Sequence, residues 1–132
     1  MADFNNYKSG KIMKISKNFT RAEFACKCGC GQDTVDVELV SILQTLRQHF
    51  SQPITITSGN RCEAYNAKIG GAKASLHLIG RAADIVVANV EPEDVYNALD
   101  RYLGNRGGLG VYNGWVHIDT RTSKKARWDK RA

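Results

Sequence analysis

The sequence predicts an α+β fold, a single domain in which helices flank a small, largely antiparallel sheet. Its 132 residues, 42% hydrophobic and 24% charged, suit one compact globular domain. Amphipathic helical patterns alternate with short β-branched runs, and an Asn-Gly pair separates two strand-like segments near the end. We expect residues 1–18 to be a polar, loosely ordered lead-in and residues 19–132 to form the domain.

The first predicted elements are a turn, a helix and a strand. Thr20 and Glu23 have capping-box spacing, which predicts a short helical turn. Apolar residues then recur at helical spacing up to Phe50, and Asp36 is a candidate N-cap for this helix. The β-branched run at 54–57 is typical of a strand.

The remaining elements complete the sheet. Residues 62–69 predict a short helix, and residues 82–87 predict a second strand. Residues 92–103 predict a helix, because proline suits its first position and two acidic residues follow in the first turn. Asn113 and Gly114 predict a two-residue type I′ turn joining the strands of a hairpin.

Charge and hydropathy restrict the classes of partner. The net charge of +6 favours an acidic partner, such as an anionic polymer of a cell envelope. The basic residues form no single block, and no nucleic-acid-binding motif is present, so we expect no nucleic-acid partner. No apolar run reaches the roughly 20 residues of a membrane span, and none at the start has the length of a signal peptide. We therefore expect no membrane partner, and we expect a monomer.

Four cysteines leave several possibilities open. Cys26, Cys28 and Cys30 lie in the run CKCGC, whereas Cys62 stands apart. Two disulfides, one disulfide with two thiols, or a structural metal site would each use these residues. The metal site is the least favoured of the three, because the C-x-C spacing differs from the usual C-x2-C of zinc sites.

Asp84 and two histidines are the candidate metal ligands. Asp84 lies on the predicted strand 82–87 among small and β-branched residues, where an uncompensated carboxylate would be costly. A metal, an arginine or several backbone donors must therefore compensate its charge. His77 lies in the loop that precedes this strand, and His117 follows the predicted hairpin turn. Strand alternation places Trp115, His117, Asp119 and Arg121 on one face.

Two imidazoles and one carboxylate would leave a fourth zinc position for water, as in catalytic rather than structural zinc sites. Taken alone, single histidines in strands are more often packed or hydrogen-bonded than bound to metal. The composition therefore leaves both interpretations open.

Four motifs carry a resemblance to a known family. The segments S-x-H-x-x-G-x-A-x-D and H-x-D occur in order, preceded by F-x-C-x-C-G and S-G-x-R. The chain resembles the zinc D-Ala-D-Ala carboxypeptidases and peptidoglycan endopeptidases over residues 18–128, and most closely their small members in phages and prophages. The matching residues are Phe24, Cys26, Cys28, Gly29, Ser58, Gly59, Arg61, Ser75, His77, Gly80, Ala82, Asp84, His117 and Asp119.

The resemblance implies a hedgehog/D-Ala-D-Ala peptidase-like fold and hydrolysis of peptidoglycan stem or cross-link peptides. It implies that His77, Asp84 and His117 hold Zn²⁺, and that Arg61 engages a substrate carboxylate or an oxyanion. The other expected substrate contacts are Asn66, Ser75 and Trp115. Without this context, a surface salt bridge for Arg61 and a turn-stabilising hydroxyl for Ser75 would be preferred.

One position departs from the family pattern. Many members place an acidic general base three residues before the last histidine, and here that residue is Gly114. Asp119 is the candidate replacement, although it could instead orient His117 or pair with Arg121. The alternative function is therefore a non-catalytic, zinc-containing cell-wall-binding or phage structural module.

The expected location also follows from the family. With no signal peptide, the chain would be made in the cytoplasm and reach the wall after release, as in phage lysis, or as part of a virion.

Overall fold

The computed structural model describes residues 14–132, and it confirms the predicted α+β fold with a largely antiparallel sheet. None of the helices in this range is long and apolar enough to cross a membrane. Within residues 14–132, two 3-10 helices, Arg21–Phe24 and Leu76–Ile79, accompany the longer elements. The helices and strands are β1 (Lys14–Ser16), β2 (Phe19–Thr20), α1 (Val37–Phe50), β3 (Ile54–Ser58), α2 (Glu63–Lys68), β4 (Ala82–Val87), α3 (Pro92–Leu103), β5 (Gly108–Val111), β6 (Val116–Asp119) and β7 (Ala126–Asp129).

Part of the predicted lead-in is ordered against the domain. Strand β1 pairs with β2, and the Ser16 hydroxyl donates to Gln44 Oε1 of α1 at 2.6 Å. The Asn18 backbone N–H donates to the same oxygen at 2.9 Å. Within the predicted lead-in, residues 14–18 therefore make strand and side-chain contacts with the domain, while residues 1–13 lie outside the described range.

The main sheet has five strands in the order β3-β4-β6-β5-β7. All neighbours are antiparallel except β5 and β7, which are parallel, and the sequence did not predict β7. The β5–β6 hairpin is confirmed, but its type I′ turn is wrong, because such a turn needs positive φ at both central residues. Neither Asn113 nor Gly114 has a positive φ, although the Tyr112 N–H still donates to the Trp115 carbonyl at 3.0 Å and closes the hairpin.

The two faces of the sheet have different roles. Ile85 of β4 and Ile118 of β6 point into a core that also contains the buried residues of α1 and α3. The predicted N-cap Asp36 is confirmed, since its carboxylate accepts the Leu39 N–H at 3.2 Å. Because side chains alternate along a strand, Asp84 and His117 point away from this core. The polar face of the sheet is therefore available for a site.

Candidate metal centre

The antiparallel pairing of β4 and β6 brings two of the predicted ligands together. Asp84 and His117 are directly opposite each other in the register. His77 comes from the 3-10 helix before β4, which ends at Gly80 in the left-handed region with φ of 74°. A Cβ at Gly80 would also lie 2.4 Å from the Thr34 carbonyl oxygen. Glycine is therefore needed at the bend that places His77 next to β4.

The two histidines converge on the Asp84 carboxylate. Its Oδ1 lies 3.3 Å from His77 Nε2 and 3.1 Å from His117 Nδ1. One ligand atom from each residue fits within a group whose members are at most 4.8 Å apart. Burial raises the pKa of the Asp84 carboxyl, but the hydrogen bonds and charges of His117 and His77 outweigh it and hold that pKa well below its usual range.

The hydrogen bonds behind the histidines fix which ring nitrogen is free. His77 Nδ1 lies 2.7 Å from the Gly59 carbonyl oxygen, and His117 Nε2 lies 2.8 Å from Asp119 Oδ2. Both partners are acceptors, so these two nitrogens carry the protons. The opposite nitrogens, His77 Nε2 and His117 Nδ1, face Asp84 Oδ1, and their lone pairs become available to a cation when these nitrogens are deprotonated. This donor set of two imidazoles and one carboxylate fits zinc and leaves a position open.

Asp119 is enclosed by its partners. Its side chain is 0% exposed, and Arg121 donates to Oδ1 through Nε at 2.9 Å and to Oδ2 through Nη2 at 2.8 Å. Burial raises the pKa of Asp119, but the hydrogen bonds from Arg121 and His117 hold it well below its usual range. Both oxygens are thus occupied, one of them by His117, and the carboxylate is a weak proton acceptor near neutral pH.

Arg61 lies beside the ligands with its guanidinium held by three acceptors. Nε donates to Ser58 Oγ at 3.0 Å, and Nη1 donates to Asn66 Oδ1 at 3.1 Å. Nη2 lies 3.4 Å from Asp84 Oδ2. Only 12% of the Arg61 side chain is exposed, so this is not a surface salt bridge. The guanidinium is oriented in advance and compensates part of the Asp84 charge.

A comparison with known protein families identifies the family of the chain. The family model described as Peptidase M15 matches residues 17–119. The chain belongs to the peptidase M15 family. No curated protein matches the chain. The family consists of zinc metallopeptidases, which agrees with the candidate metal site formed by His77, Asp84 and His117.

Of the other expected substrate contacts of this M15 peptidase, two line the cleft and one lies behind it. Asn66 is buried behind Arg61 and does not line the cleft. The Ser75 hydroxyl caps the 3-10 helix by accepting the His77 N–H at 3.2 Å, and Ser75 also lines the cleft. Trp115 lies at the cleft, 37% exposed, with its ring stacked on Tyr112 at a centroid distance of 4.6 Å.

Sequence reasoning missed one wall of the site. Trp128 of β7 lies with its ring 5.2 Å from the His117 ring and 5.6 Å from Arg121 Cζ. Its indole N–H donates to the Tyr112 hydroxyl at 2.9 Å. In register across the sheet, Asp84, His117, Gly110 and Trp128 form one row. The only signal in the sequence was the tryptophan between two charged residues, too short a pattern to predict a strand.

The cleft of this M15 peptidase is open and basic. Its volume is about 670 Å³, which suits a short peptide. Within residues 14–132, the charged groups lining it are Arg61, Arg81 and Arg121 with two carboxylates, Asp84 and Asp119. Gly114 lies in the hairpin turn outside this lining, and a Cβ added there would meet nothing within 4 Å. The position that carries the acid in many relatives therefore faces open space.

Proposed function

We propose that this M15 peptidase hydrolyses peptide bonds in the stem or cross-link peptides of bacterial peptidoglycan. The observation that carries the proposal is the convergence of His77, Asp84 and His117 at the cleft, with Arg61 beside them. A zinc ion bound there would polarise the scissile carbonyl and lower the pKa of water at that position to about 7. The protein residues supply orientation, charge and recognition.

Arg61 is positioned to recognise negative charge on the substrate. Its three acceptors fix the plane of the guanidinium, and the Arg61 side chain lines the cleft. An oriented arginine can donate to an oxyanion that develops at the scissile carbonyl, or to a substrate carboxylate. Because the orientation is set before binding, little side-chain entropy is lost when the substrate arrives.

The charge of the cleft supports a substrate that carries carboxylates. Three arginines and two aspartates line it, and none of the described carboxylates pairs with Arg81. Arg81 instead donates to the Thr120 carbonyl at 2.6 Å. Stem peptides of peptidoglycan carry free carboxylates, which matches this excess of positive charge. The preference for D-residues rests on the family resemblance.

For Asp119, the geometry favours the orienting role over that of general base. It accepts the Nε2 proton of His117 and is itself fixed by Arg121, so it sets the ring orientation and increases the basicity of Nδ1. Among the described residues, Asp84 is the only other carboxylate that lines the cleft. Residues 14–132 therefore place no separate carboxylate base next to the candidate metal position.

Digestion of purified peptidoglycan tests the substrate. We expect the wild-type chain to release fragments whose masses identify the cleaved bond: terminal D-Ala, L-Ala–D-Glu or a cross-link. The Asp84→Ala variant should release none, because the carboxylate that joins both histidines is gone. Cleavage by the wild type of ordinary L-peptides but not of peptidoglycan would contradict this substrate.

A second candidate is a non-catalytic module that binds the wall, either in phage lysis or as part of a virion. Gly114 and the enclosed Asp119 carboxylate favour it, since neither supplies an accessible proton acceptor. Co-sedimentation with peptidoglycan, without release of fragments, by a zinc-loaded chain would support this candidate. We expect a monomer, with no nucleic-acid partner, in either case.

A further inference from the structure

The four cysteines, which the sequence leaves unassigned, meet at one point. Cys26, Cys28 and Cys30 lie in the loop after the first 3-10 helix, and Cys62 is the N-cap of α2. Their four Sγ atoms lie within 4.8 Å of one another. Cys28 is separated from Cys62 by 34 residues of sequence, so tertiary structure rather than local spacing forms this cysteine cluster.

The sulfur positions match a metal better than disulfides. Cys28 Sγ lies 3.5 Å from Cys26 Sγ and 3.7 Å from Cys62 Sγ. A tetrahedral ion with zinc–sulfur bonds of about 2.3 Å sets its sulfurs about 3.8 Å apart. A disulfide would instead single out one partner for each sulfur. Here Cys28 is nearly equidistant from two others, and none of the four cysteines forms a disulfide in the structure.

The backbone of the loop turns the three N-terminal cysteines toward one another, with Cys26 buried and Cys28 and Cys30 at the surface. Gly29, between Cys28 and Cys30, has a φ of 85°, and Gly31, directly after Cys30, has a φ of 92°. Residues other than glycine rarely adopt these values. The Cys26 N–H donates to the Gln32 carbonyl at 2.7 Å and closes the loop. The C-x-C-x-C spacing therefore returns the chain on itself instead of continuing as a strand.

Backbone amides point at three of the four sulfurs. The Cys62 N–H donates to Cys26 Sγ, the Gln32 N–H to Cys30 Sγ and the Tyr65 N–H to Cys62 Sγ, each at 3.4 Å. Hydrogen bonds of this kind stabilise thiolates, which are the form that binds metal.

We propose that Cys26, Cys28, Cys30 and Cys62 bind one zinc ion as a second, structural site. Four protein ligands fill a tetrahedral zinc ion, so the site has no open position for water or substrate and differs in kind from the His77–Asp84–His117 centre.

The cysteine site fixes the segment that carries Arg61. Cys62 follows Arg61 directly, and the Gln32 side chain donates to the Arg61 carbonyl at 3.1 Å. A Cβ at Gly59 would lie 2.7 Å from the Phe24 carbonyl oxygen, so the same two segments also touch on the other side of Arg61. A metal at the cysteines thus holds the N-terminal loop against the strand end from which Arg61 enters the cleft.

Zinc content and zinc coordination of the full chain, purified under reducing conditions, test this proposal. We expect two zinc ions per wild-type chain by elemental analysis. Asp84→Ala should keep one, and X-ray absorption should show it with four sulfurs at about 2.3 Å. Cys30→Ser, the matched variant, should also keep one, with nitrogen and oxygen ligands at about 2.0–2.2 Å.

Two results would overturn the cysteine site. One is a wild-type chain with a single zinc that has only nitrogen and oxygen ligands, and the other is Asp84→Ala protein that retains no zinc. The Asp84→Ala measurement keeps all four cysteines, so it decides the matter even if Cys30→Ser fails to fold. A chain with two zinc ions that does not cleave peptidoglycan would contradict the proposed function and leave the cysteine site supported.

Discussion

Asp84 connects the parts of the candidate metal centre. Its Oδ1 faces both histidines, and its Oδ2 faces Arg61 at 3.4 Å. The carboxylate is therefore partly compensated by an arginine, one of the three possibilities raised by its place on an apolar strand, and it also contacts two imidazoles. Neutral histidines would leave the negative charge of Asp84 less compensated. A bound cation would then neutralise it, because cation binding requires deprotonated imidazoles.

Replacing Asp119 with Asn distinguishes its two roles. If Asp119 orients His117, the substitution should weaken zinc binding at the histidine centre by about 10–100-fold, because the Nε2 partner loses its charge. At saturating zinc, the hydrolysis rate should then fall less than about threefold, which is well below a general-base contribution. Competition with a chromophoric chelator and rates on peptidoglycan fragments measure the two quantities. Unchanged zinc affinity with a loss of about a hundredfold or more in rate would identify Asp119 as the base.

Arg61→Lys tests the oriented guanidinium. A lysine cannot contact Ser58 and Asn66 while still facing the cleft, so we expect kcat/KM to fall by about 10²–10³ with zinc content unchanged. Arg106→Lys is the matched control, because Arg106 pairs with exposed Glu38. Equal kcat/KM values for Arg61→Lys and the control would remove Arg61 from catalysis.

At the scale of residues, the motifs could predict which three candidate ligands lie together but not what surrounds them. The spacing of His77, Asp84 and His117 carries the family pattern, and the structure brings the three side chains together. The enclosure of Asp119 by Arg121 could not be predicted, because alternation places both on one face without saying which contact forms.

At the scale of elements, the glycines of β5 make room for the site. A Cβ at Gly110 would lie 2.1 Å from the Trp128 indole nitrogen, and a Cβ at Gly108 would lie 2.3 Å from Asp119 Oδ2. Both neighbours belong to adjacent strands of the sheet. Strand β5 thus carries glycine at the positions where side chains of β6 and β7 cross it.

Gly110→Ala should destabilise the domain by about 1–3 kcal/mol, because the added methyl overlaps the Trp128 ring in a packed sheet. Gly114→Ala is the control: nothing lies within 4 Å of its Cβ position, and its φ is not positive. We expect that control to change stability by no more than about 0.5 kcal/mol. Urea unfolding curves compare the two variants, and equal midpoints would show that β7 does not pack on β5 in this way.

Several elements could be predicted from local patterns alone. The bounds of β4 and α3 agree with the periodicity and with Pro92, since these signals lie within each element. Strand β7 could not be predicted, because it has four residues and its parallel partner β5 is distant in the chain. The hairpin turn shows the limit of a dipeptide signal: the stacked Tyr112 and Trp115 rings flank Asn113-Gly114, and the turn adopts a different type.

At the scale of the whole molecule, one face of the main sheet contributes to stability and the other carries the candidate site. One face packs on the helices, and the other forms the basic cleft in a chain of net charge +6. The fold class could be predicted because it depends only on the order of elements. The convergence of the cysteines could not, because Cys62 reaches the N-terminal loop only when the end of β3 docks beneath Phe24.

Zinc should contribute to the stability of the whole domain. Free zinc at a thousand times the dissociation constant of one site stabilises the folded chain by about 4 kcal/mol, which is roughly 15 °C in Tm for a domain of this size. We expect a chelator to lower the Tm of the wild type, and to lower that of Asp84→Ala by a smaller amount, since this variant lacks the histidine centre. Scanning calorimetry measures both shifts. A Tm that is unaffected by chelator in both proteins would contradict zinc binding to the folded chain.

Release of new amino groups from purified peptidoglycan, with and without chelator and added zinc, tests the central claim most directly. We predict release by the wild-type chain, its loss in chelator, its return with zinc, and none from His117→Ala under any of these conditions. Absence of release from wild-type protein shown to hold zinc at His77, Asp84 and His117 would contradict the peptidase and favour the wall-binding module.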